Sequence, residues 1–372
     1  MIGRVHVTFT DTSWSPVPGR TDIGQTRAAL AAWLRQRRPD WSDLEITSLR
    51  PPTTTGGTGD NLLVTIVCRP DGQPAEHRLV VRLAPADFIT VHGADIAQHF
   101  AVLEALWPTA VPSPEPLWLE TDETVLGLPF MVMSQVPGQA PPDFPIYNQS
   151  GFLAEAPAGY RRRAWRSAVE ALAASATVDR SLFSFLDRPD RGPTGLDQHL
   201  GYIEEAFAAA HDGSGHPGIE RGLEWIRANR PGRTVEGLSW GDARLGNVLI
   251  GDDGRVTALL DWDRASLGGP LVDLGWWLLF DRMHAEDYGY PRLEGLGRPE
   301  ETIALWSDLT GIDAGDAGYY EILGAAHLAV IRLRSIRMRS EHGLWVPDAG
   351  NPRGVDRLLE RMNRMIARYE AW

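Results

Sequence analysis

The chain has 372 residues, 43% hydrophobic and 23% charged, which is ordinary for a folded protein long enough to form two separate cores. Its net charge of −13 argues against a nucleic-acid-binding surface, and no apolar stretch is long enough to span a membrane. We therefore expect small-molecule partners, and the lack of a secretory signal pattern together with the single cysteine predicts a cytoplasmic location.

The N-terminal part predicts one helix followed by short strands. Leu30, Trp33 and Leu34 share a helical face, and strands are expected near 45–50, 61–68, 77–83 and 128–133. The only cysteine, Cys68, lies in the apolar run LLVTIVC and is expected to be a buried strand residue. All 36 basic residues are arginine, so a Walker A loop, which requires lysine, is excluded.

Two features of this part are typical of phosphate binding. The run TTTGGTGD places Gly56, Gly57 and Thr58 before a strand, where bare backbone N–H groups can approach phosphate oxygens. One strand later, Arg82 can hold phosphates through a bidentate guanidinium. A ligand-free flexible hairpin and an outward-facing strand arginine are the alternatives.

The next predicted features are a helix and a strand followed by a linker. Ile96, Phe100 and Leu103 follow helical spacing over 95–106. The run GLPFMVMSQVPG then predicts a strand from Leu128 to Met133, with a linker beginning at Pro137-Gly138. We interpret this point as a hinge that divides the chain into domains 1–137 and 138–372, although a core strand ending in a turn has the same pattern.

A long Pro-rich segment follows the hinge. PPDFPIYNQSGFLAEAP carries Phe144, Tyr147 and Phe152, and long ordered loops often bind ligands. A binding role predicts a ligand with a substantial apolar part, since only Asp143 and Glu155 in this segment could attract a polycation. Packing of the loop onto the domain surface is the alternative.

The most informative motif lies in SWGDARLGNVLI. Asn247 follows Asp242 by five positions, and Asp261 follows Asp242 by nineteen. In kinase-type phosphoryl transfer, one aspartate takes the hydroxyl proton, while an asparagine five residues later and a further aspartate hold magnesium. Two β-rich runs joined by Asp252-Asp253-Gly254 predict a hairpin that brings Asn247 and Asp261 to the same end.

The remainder of the chain is predicted to be mainly helical. Trp165, Val169 and Leu172 mark one helix, Trp276 and Trp277 lie in another as core residues, and 322–338 and 355–369 mark two more. The ten histidines contain no HExxH, and no G-x-S-x-G occurs, which argues against metallohydrolase and serine hydrolase chemistry.

WGDARLGN and LLDWDRASLGGPLVDLGWWL resemble the aminoglycoside phosphotransferase family, also called the choline-kinase-like group. Its pattern is His-Gly-Asp-x4-Asn, then Asp-Trp-Glu and Gly-x-Pro-x-x-Asp-Leu. Here Trp240 replaces the histidine and Asp263 replaces the glutamate. The chain is most similar to the actinobacterial-type branch with Trp-Gly-Asp-Ala-Arg, whose substrates are mostly unassigned.

The resemblance implies an α+β, bilobal protein-kinase-like fold with a small β-rich N-lobe and a larger, mainly helical C-lobe. It implies ATP, with GTP as an alternative, and Mg²⁺ as cofactors. It places adenine against the Ser134 carbonyl and the Val136 N–H, and Asp273 in a structural role that ties the catalytic segment together. It also places His99, with Asp95 one turn earlier, where the family has a glutamate that pairs with the strand cation.

We therefore predict an ATP-dependent phosphotransferase that acts on a small-molecule hydroxyl. Asp242 is the predicted base, Asn247 and Asp261 are the metal ligands, and the expected acceptor contacts are Phe144, Tyr147 and Asp263. Two alternatives stay open. One is a nucleotide-binding pseudokinase or binding module, because the lysine and glutamate are missing. The other is a kinase of hydroxyacyl thioesters.

Overall fold

The computed structural model describes residues 23–52, 61–85, 92–211, 213–348, 351 and 353–371. The chain divides into two compact units. The sheet unit contains the described residues up to Pro137 together with Trp262–Arg264, and the helical unit contains Gly138–Asp261 and the described residues from Ala265 onward. Within the described residues, no helix is both long and apolar enough to cross a membrane.

The sheet unit is built on five antiparallel strands in the order β1-β2-β3-β5-β4. Its elements are α1 (Ile23–Arg37), β1 (Trp41–Arg50), β2 (Asn61–Pro70), β3 (Ala75–Leu83), α2 (Ile96–Leu106), β4 (Pro116–Glu120) and β5 (Phe130–Ser134).

Alternate side chains of β2 are buried and form part of the core of this unit. Leu62, Val64, Ile66 and Cys68 point inward on successive even positions, while their neighbours are more exposed. The face of α1 that carries Leu30, Trp33 and Leu34 is buried in the same core, as predicted. Cys68 is a buried strand residue, also as predicted, and burial raises the pKa of its thiol.

Strand β4 was not predicted from the sequence. Its five residues, PLWLE, are all half-buried, so they give no alternating signal, and the strand begins with a proline. Proline is tolerated at the first position of an edge strand, and β4 lies at the edge of this sheet.

The helical unit contains one β-hairpin and eight α-helices among its described residues. The hairpin consists of β6 (Val248–Ile250) and β7 (Val256–Leu259), and short 3₁₀ helices cover Arg180–Leu186 and Leu245–Asn247. The α-helices are α3 (Phe152–Glu155), α4 (Ala158–Ala176), α5 (Gly195–Ala210), α6 (Pro217–Ala228), α7 (Pro270–Glu286), α8 (Pro299–Thr310), α9 (Ala317–Glu341) and α10 (Val355–Tyr369).

The centre of this unit is the pair α7 and α9. Their close approach depends on Gly275, because a Cβ there would overlap the backbone of Tyr320. Trp276 and Trp277 are buried in α7, as predicted for core residues. Helix α10 spans the predicted 355–369, and α9 extends beyond the predicted 322–338 at both ends.

Candidate functional site

Asp242 lies in the loop before the Leu245–Asn247 turn of the helical unit, and three donors fix its carboxylate. The Trp276 indole N–H donates to Oδ1 at 2.8 Å, and Arg244 Nε donates to the same oxygen at 3.1 Å. The Asn247 amide donates to Oδ2 at 2.8 Å. The side chain is buried, with 8% of the residue exposed. These bonds hold the carboxylate in one orientation, which a proton acceptor needs.

Asn247 is oriented by Asp242. Its Nδ2 donates to the Asp242 backbone carbonyl at 3.0 Å as well as to the carboxylate. Because both bonds occupy the amide nitrogen, the amide oxygen points away from Asp242. An amide oxygen is one of the hard ligands that bind magnesium.

The predicted hairpin is present, and it joins Asn247 to the residue before Asp261. The Leu260 amide donates to the Asn247 carbonyl at 2.8 Å, so the two chain ends meet at the open end of β6 and β7. Asp261 has φ of 63°, in the left-handed region that aspartate tolerates better than most residues. The structure thus brings Asn247 and Asp261 together as predicted, while their metal-binding role stays a prediction.

The chemistry of this pair fits Mg²⁺, which is usually held by one or two carboxylates together with substrate phosphates and water. The described part of the chain contains no group of three or more His, Cys, Asp or Glu side chains arranged to hold a metal without such help.

Asp273 ties the predicted catalytic loop, residues 239–244, to the start of α7, as the resemblance implied. Its carboxylate accepts from the amides of Trp240 at 2.6 Å and Gly241 at 2.9 Å, and from the Ser239 hydroxyl at 2.9 Å. Trp240 itself is fully buried and donates its indole N–H to the Leu260 carbonyl at 2.8 Å. The tryptophan at the usual histidine position therefore links the catalytic loop to the hairpin.

Arg244 is a site residue that the sequence reasoning did not use, although it is the arginine of the Trp-Gly-Asp-Ala-Arg motif. It forms ion pairs with both Asp242 and Asp143. Burial lowers the pKa of Arg244, but the carboxylates of Asp143, Asp242 and Asp261 outweigh it and raise the pKa above its ordinary value. This arginine therefore couples the predicted base to the segment after the predicted hinge.

Two of the predicted acceptor residues, Phe144 and Tyr147, have different contacts in the helical unit. Tyr147 is buried and contacts the ring of His284 with centroids 4.9 Å apart, whereas the ring of Phe144 lies 4.2 Å from the guanidinium carbon of Arg353. Tyr147 borders a cavity of about 10 Å³, which is at the lower limit of what can hold one water molecule. The cavity is lined by Tyr147, Trp165, Arg244, Leu245, Trp277, Phe280, Asp281, His284 and Leu296.

In the sheet unit, Arg82 is buried on β3 and does not face solvent, with 8% of the residue exposed. Its Nη2 lies 3.4 Å from Oδ2 of Asp263. Asp263 belongs to the same unit as Arg82. The structure therefore places Asp263 against Arg82. Gly56, Gly57 and Thr58 lie outside the described residues.

The predicted hinge residues are Ser134, the last residue of β5, and Val136, which follows it. The Ser134 amide donates to the Glu115 carbonyl at 2.9 Å, and its hydroxyl accepts from the Glu115 amide at 2.9 Å. These bonds fix the end of β5 and engage the amide and hydroxyl of Ser134, whereas the predicted adenine contact uses its carbonyl. That contact and the one from Val136 stay predictions.

The chain is similar to several curated proteins. It is 30% identical over 261 residues to acyl-CoA dehydrogenase family member 11 of Mus musculus, covering 65% of this chain and 31% of that protein. The Gallus gallus protein of the same description is 30% identical over 201 residues, covering 53% and 24%. The chain thus matches less than a third of the length of these two relatives.

Solved structures share the fold over nearly the whole chain. A candidate aminoglycoside phosphotransferase from Ralstonia eutropha has a TM-score of 0.67 at 22% identity, covering 92% of this chain and 98% of that one. Choline kinase LicA of Streptococcus pneumoniae has a TM-score of 0.57 at 13% identity, covering 91% and 99%. An aminoglycoside phosphotransferase in a ternary complex with AMP-PNP and hygromycin B has a TM-score of 0.56 at 16% identity, covering 91% and 99%. The fold is therefore α+β and protein-kinase-like.

A family model described as the phosphotransferase enzyme family matches residues 70–306, which include Arg82 and the whole segment from Asp242 to Asp273. This match covers well over half of the chain. The chain therefore belongs to the phosphotransferase enzyme family.

Proposed function

We propose that this protein transfers the γ-phosphoryl group of ATP to a hydroxyl group of a small molecule. The observation that carries the proposal is the fixed carboxylate of Asp242, held by Trp276, Arg244 and Asn247. A carboxylate oriented in this way can take the proton of an attacking hydroxyl. In kinase-type phosphoryl transfer an aspartate has this role, and membership of the phosphotransferase enzyme family supports the proposal.

In this proposal each site residue has its own role in binding the nucleotide or in the transfer. Asp242 accepts the hydroxyl proton, and Asn247 and Asp261 would hold magnesium through their oxygens. Bound magnesium would neutralise charge on the phosphates. Arg82 contacts phosphate oxygens, with the glycine run at Gly56 and Gly57 as a second phosphate contact. We also propose that residues 1–137 and 138–372 form the two domains. We propose a cytoplasmic location for the protein.

We infer ATP as the donor in preference to GTP. A relative of the same fold was solved with AMP-PNP, an adenine nucleotide. The hinge contacts proposed for the Ser134 carbonyl and the Val136 N–H are backbone groups of the kind that bind adenine.

For the acceptor, we propose a hydroxylated molecule with a substantial apolar part. The segment after the predicted hinge supports this choice, because it carries Phe144, Tyr147 and Phe152 and has only Asp143 and Glu155 to attract a polycation. A hydroxyacyl thioester is a specific candidate, since the curated relatives that match this chain are acyl-CoA dehydrogenase family members. A polycationic aminoglycoside would instead need several carboxylates near the base.

The test is a magnesium-dependent ATP turnover assay with three sets of acceptors: hydroxyacyl thioesters, the corresponding free hydroxy acids, and aminoglycosides. We expect turnover with the first set, and loss of it when Asp242 is changed to Asn. Efficient phosphorylation of several aminoglycosides, unaffected by replacing Phe144 and Tyr147 with alanine, would refute the apolar acceptor. Nucleotide binding without turnover of any acceptor would favour the pseudokinase alternative.

A further inference from the structure

The phosphate-binding cation on β3 needs a partner that holds it in place. In protein kinases, the strand lysine is paired with a glutamate from the neighbouring helix. Here the cation is Arg82, and the neighbouring helix α2 offers His99 and Asp95 near the corresponding positions. Neither residue supplies the carboxylate.

His99 cannot act as a negative partner. It is buried, with 3% of the residue exposed, and its Nδ1 has no hydrogen-bond partner among the described residues. Burial, and then the positive charge of Arg82, hold the pKa of His99 well below its ordinary value, so the ring is neutral at pH 7.

Asp95 has a different task at the start of α2. It is the N-cap residue of that helix, and its carboxylate accepts from the Ala97 amide at 2.8 Å. An N-cap aspartate satisfies a helix N–H that has no partner within the helix. The Asp95 side chain is therefore engaged locally.

A carboxylate reaches Arg82 from another part of the chain. Asp263 Oδ2 lies 3.4 Å from Arg82 Nη2, and the two side chains are only 8% and 10% exposed. Both residues belong to the sheet unit, which the chain rejoins over Trp262–Arg264. Charges shielded from water interact strongly, so this pair can fix the direction of the guanidinium.

We propose that Asp263, and not a residue of α2, is the positioning residue that orients Arg82 toward the nucleotide phosphates. The proposal rests on the nucleotide-binding role given to Arg82 in the proposed function. Asp263 follows Asp261 by two residues, so their Cα atoms are at most about 7 Å apart. A single short segment would then carry both a magnesium ligand and the partner of the phosphate-binding cation.

The first test is calorimetry of Mg²⁺-ADP and of adenosine with the parent protein, Asp263→Asn and Asp95→Asn. We expect Asp263→Asn to weaken ADP about tenfold or more and to change adenosine by less than about twofold, because only phosphate contacts depend on Arg82. Asp95→Asn is the matched control, since asparagine keeps the helix cap while removing the charge. It should bind ADP as the parent does.

Two results would overturn the positioning role. Unchanged ADP affinity in Asp263→Asn would show that Arg82 needs no such partner. Tighter ADP binding would show that Asp263 competes with phosphate for the guanidinium. A parent protein that binds no adenine nucleotide would instead refute the proposed function itself, and this inference with it.

A second measurement does not depend on the folding of Asp263→Asn, which leaves a buried guanidinium without its carboxylate. ADP binding is compared between Arg82→Gln and the double variant Arg82→Gln/Asp263→Asn, in which both charges are absent. If Asp263 acts through Arg82, both should bind ADP within about twofold of each other. A further loss of about fivefold or more in the double variant would mean that Asp263 contacts the ligand separately, and would reject the proposal.

Discussion

At the scale of single residues, the candidate site is a set of side chains that hold one another. Asp242 receives bonds from an indole, a guanidinium and an amide, and Asn247 is oriented by the same carboxylate.

Asp242→Asn should leave nucleotide affinity within about threefold of the parent while lowering turnover by a factor of about 10² to 10⁴, because the proton acceptor is lost while its shape remains. Calorimetry for binding and a coupled assay for turnover separate the two effects. Asp252→Asn, in the exposed hairpin turn, is the control that should match the parent. Parent-like turnover in Asp242→Asn would exclude it as the base.

Asp261→Ala should weaken magnesium-supported nucleotide binding more than Asn247→Ala does. A charged carboxylate contributes more to holding a hard dication than a neutral amide. The measurement is nucleotide affinity with and without Mg²⁺ in each variant. The opposite ranking, or a parent whose affinity ignores Mg²⁺, would contradict the assigned ligands.

At the scale of elements, the site depends on two contacts of α7, one with the predicted catalytic loop and one with α9. Asp273 lies in the first turn of α7 and accepts three hydrogen bonds from Ser239, Trp240 and Gly241 of the predicted catalytic loop. Gly275, half a turn later, lets α9 approach the helix backbone. One residue fixes the loop, and the other fixes the helix.

Asp273→Asn should destabilise the protein by about 2 to 4 kcal/mol, because an amide presents only one acceptor oxygen and turns a donor toward buried N–H groups. Chemical denaturation measures the change, with the exposed Asp308→Asn of α8 as a control that should lie within about 0.5 kcal/mol of the parent. A small effect of Asp273→Asn would show that the catalytic loop is held mainly by other contacts.

Gly275→Ala should destabilise the helical unit by about 1 to 3 kcal/mol despite the better helix propensity of alanine, because its Cβ would overlap the Tyr320 backbone. Gly324→Ala in α9 is the matched control. A Cβ there meets its nearest atoms at 3.6 Å, an ordinary contact, so this variant should be neutral or slightly stabilising. Thermal unfolding of both variants compares them directly, and equal effects would contradict the close approach of α7 and α9.

At the scale of the whole molecule, each unit contains a histidine kept neutral by burial. These are His99 in the sheet unit and His284 in the helical unit. Burial lowers the pKa of His284 to about 4, with Asp143 opposing the change and nearby arginines adding to it. An unfolded chain would bind this proton near the ordinary histidine pKa of about 6.5.

The sign of the pH effect follows from this difference. Between about pH 6.5 and 4 the unfolded state binds more protons, so the free energy of unfolding decreases as the pH falls. From pH 7 to pH 5 the parent should lose about 2 kcal/mol more than His284→Gln, which cannot titrate there. Denaturant titrations at both pH values measure it, with the exposed His342→Gln as control. Equal losses in the parent and His284→Gln would mean that His284 is protonated in the folded protein.

The sequence by itself determined the elements whose signals are local. Helix α10 is marked by its apolar spacing, β2 by its alternation, and the β6–β7 hairpin by Asp252-Asp253-Gly254, and each depends on residues close together in the chain. The motif spacing likewise predicted that Asn247 and Asp261 meet, because a hairpin relates its two ends by geometry alone. Family membership was also accessible from contiguous motifs. The branch within the family, the hinge contacts and the roles of the site residues stay predictions.

Only the tertiary structure decided which distant side chains act together. Strand β4 has no periodic signal and exists because the edge of β5 pairs with it. Arg244 meets Asp143 across 101 positions, and Arg82 meets Asp263 across 181. Sequence spacing cannot predict such pairs, because their distance depends on how the elements between them pack. A buried charge is stabilised by the opposite charge that packing places nearest to it, whatever the separation of the two residues in the sequence.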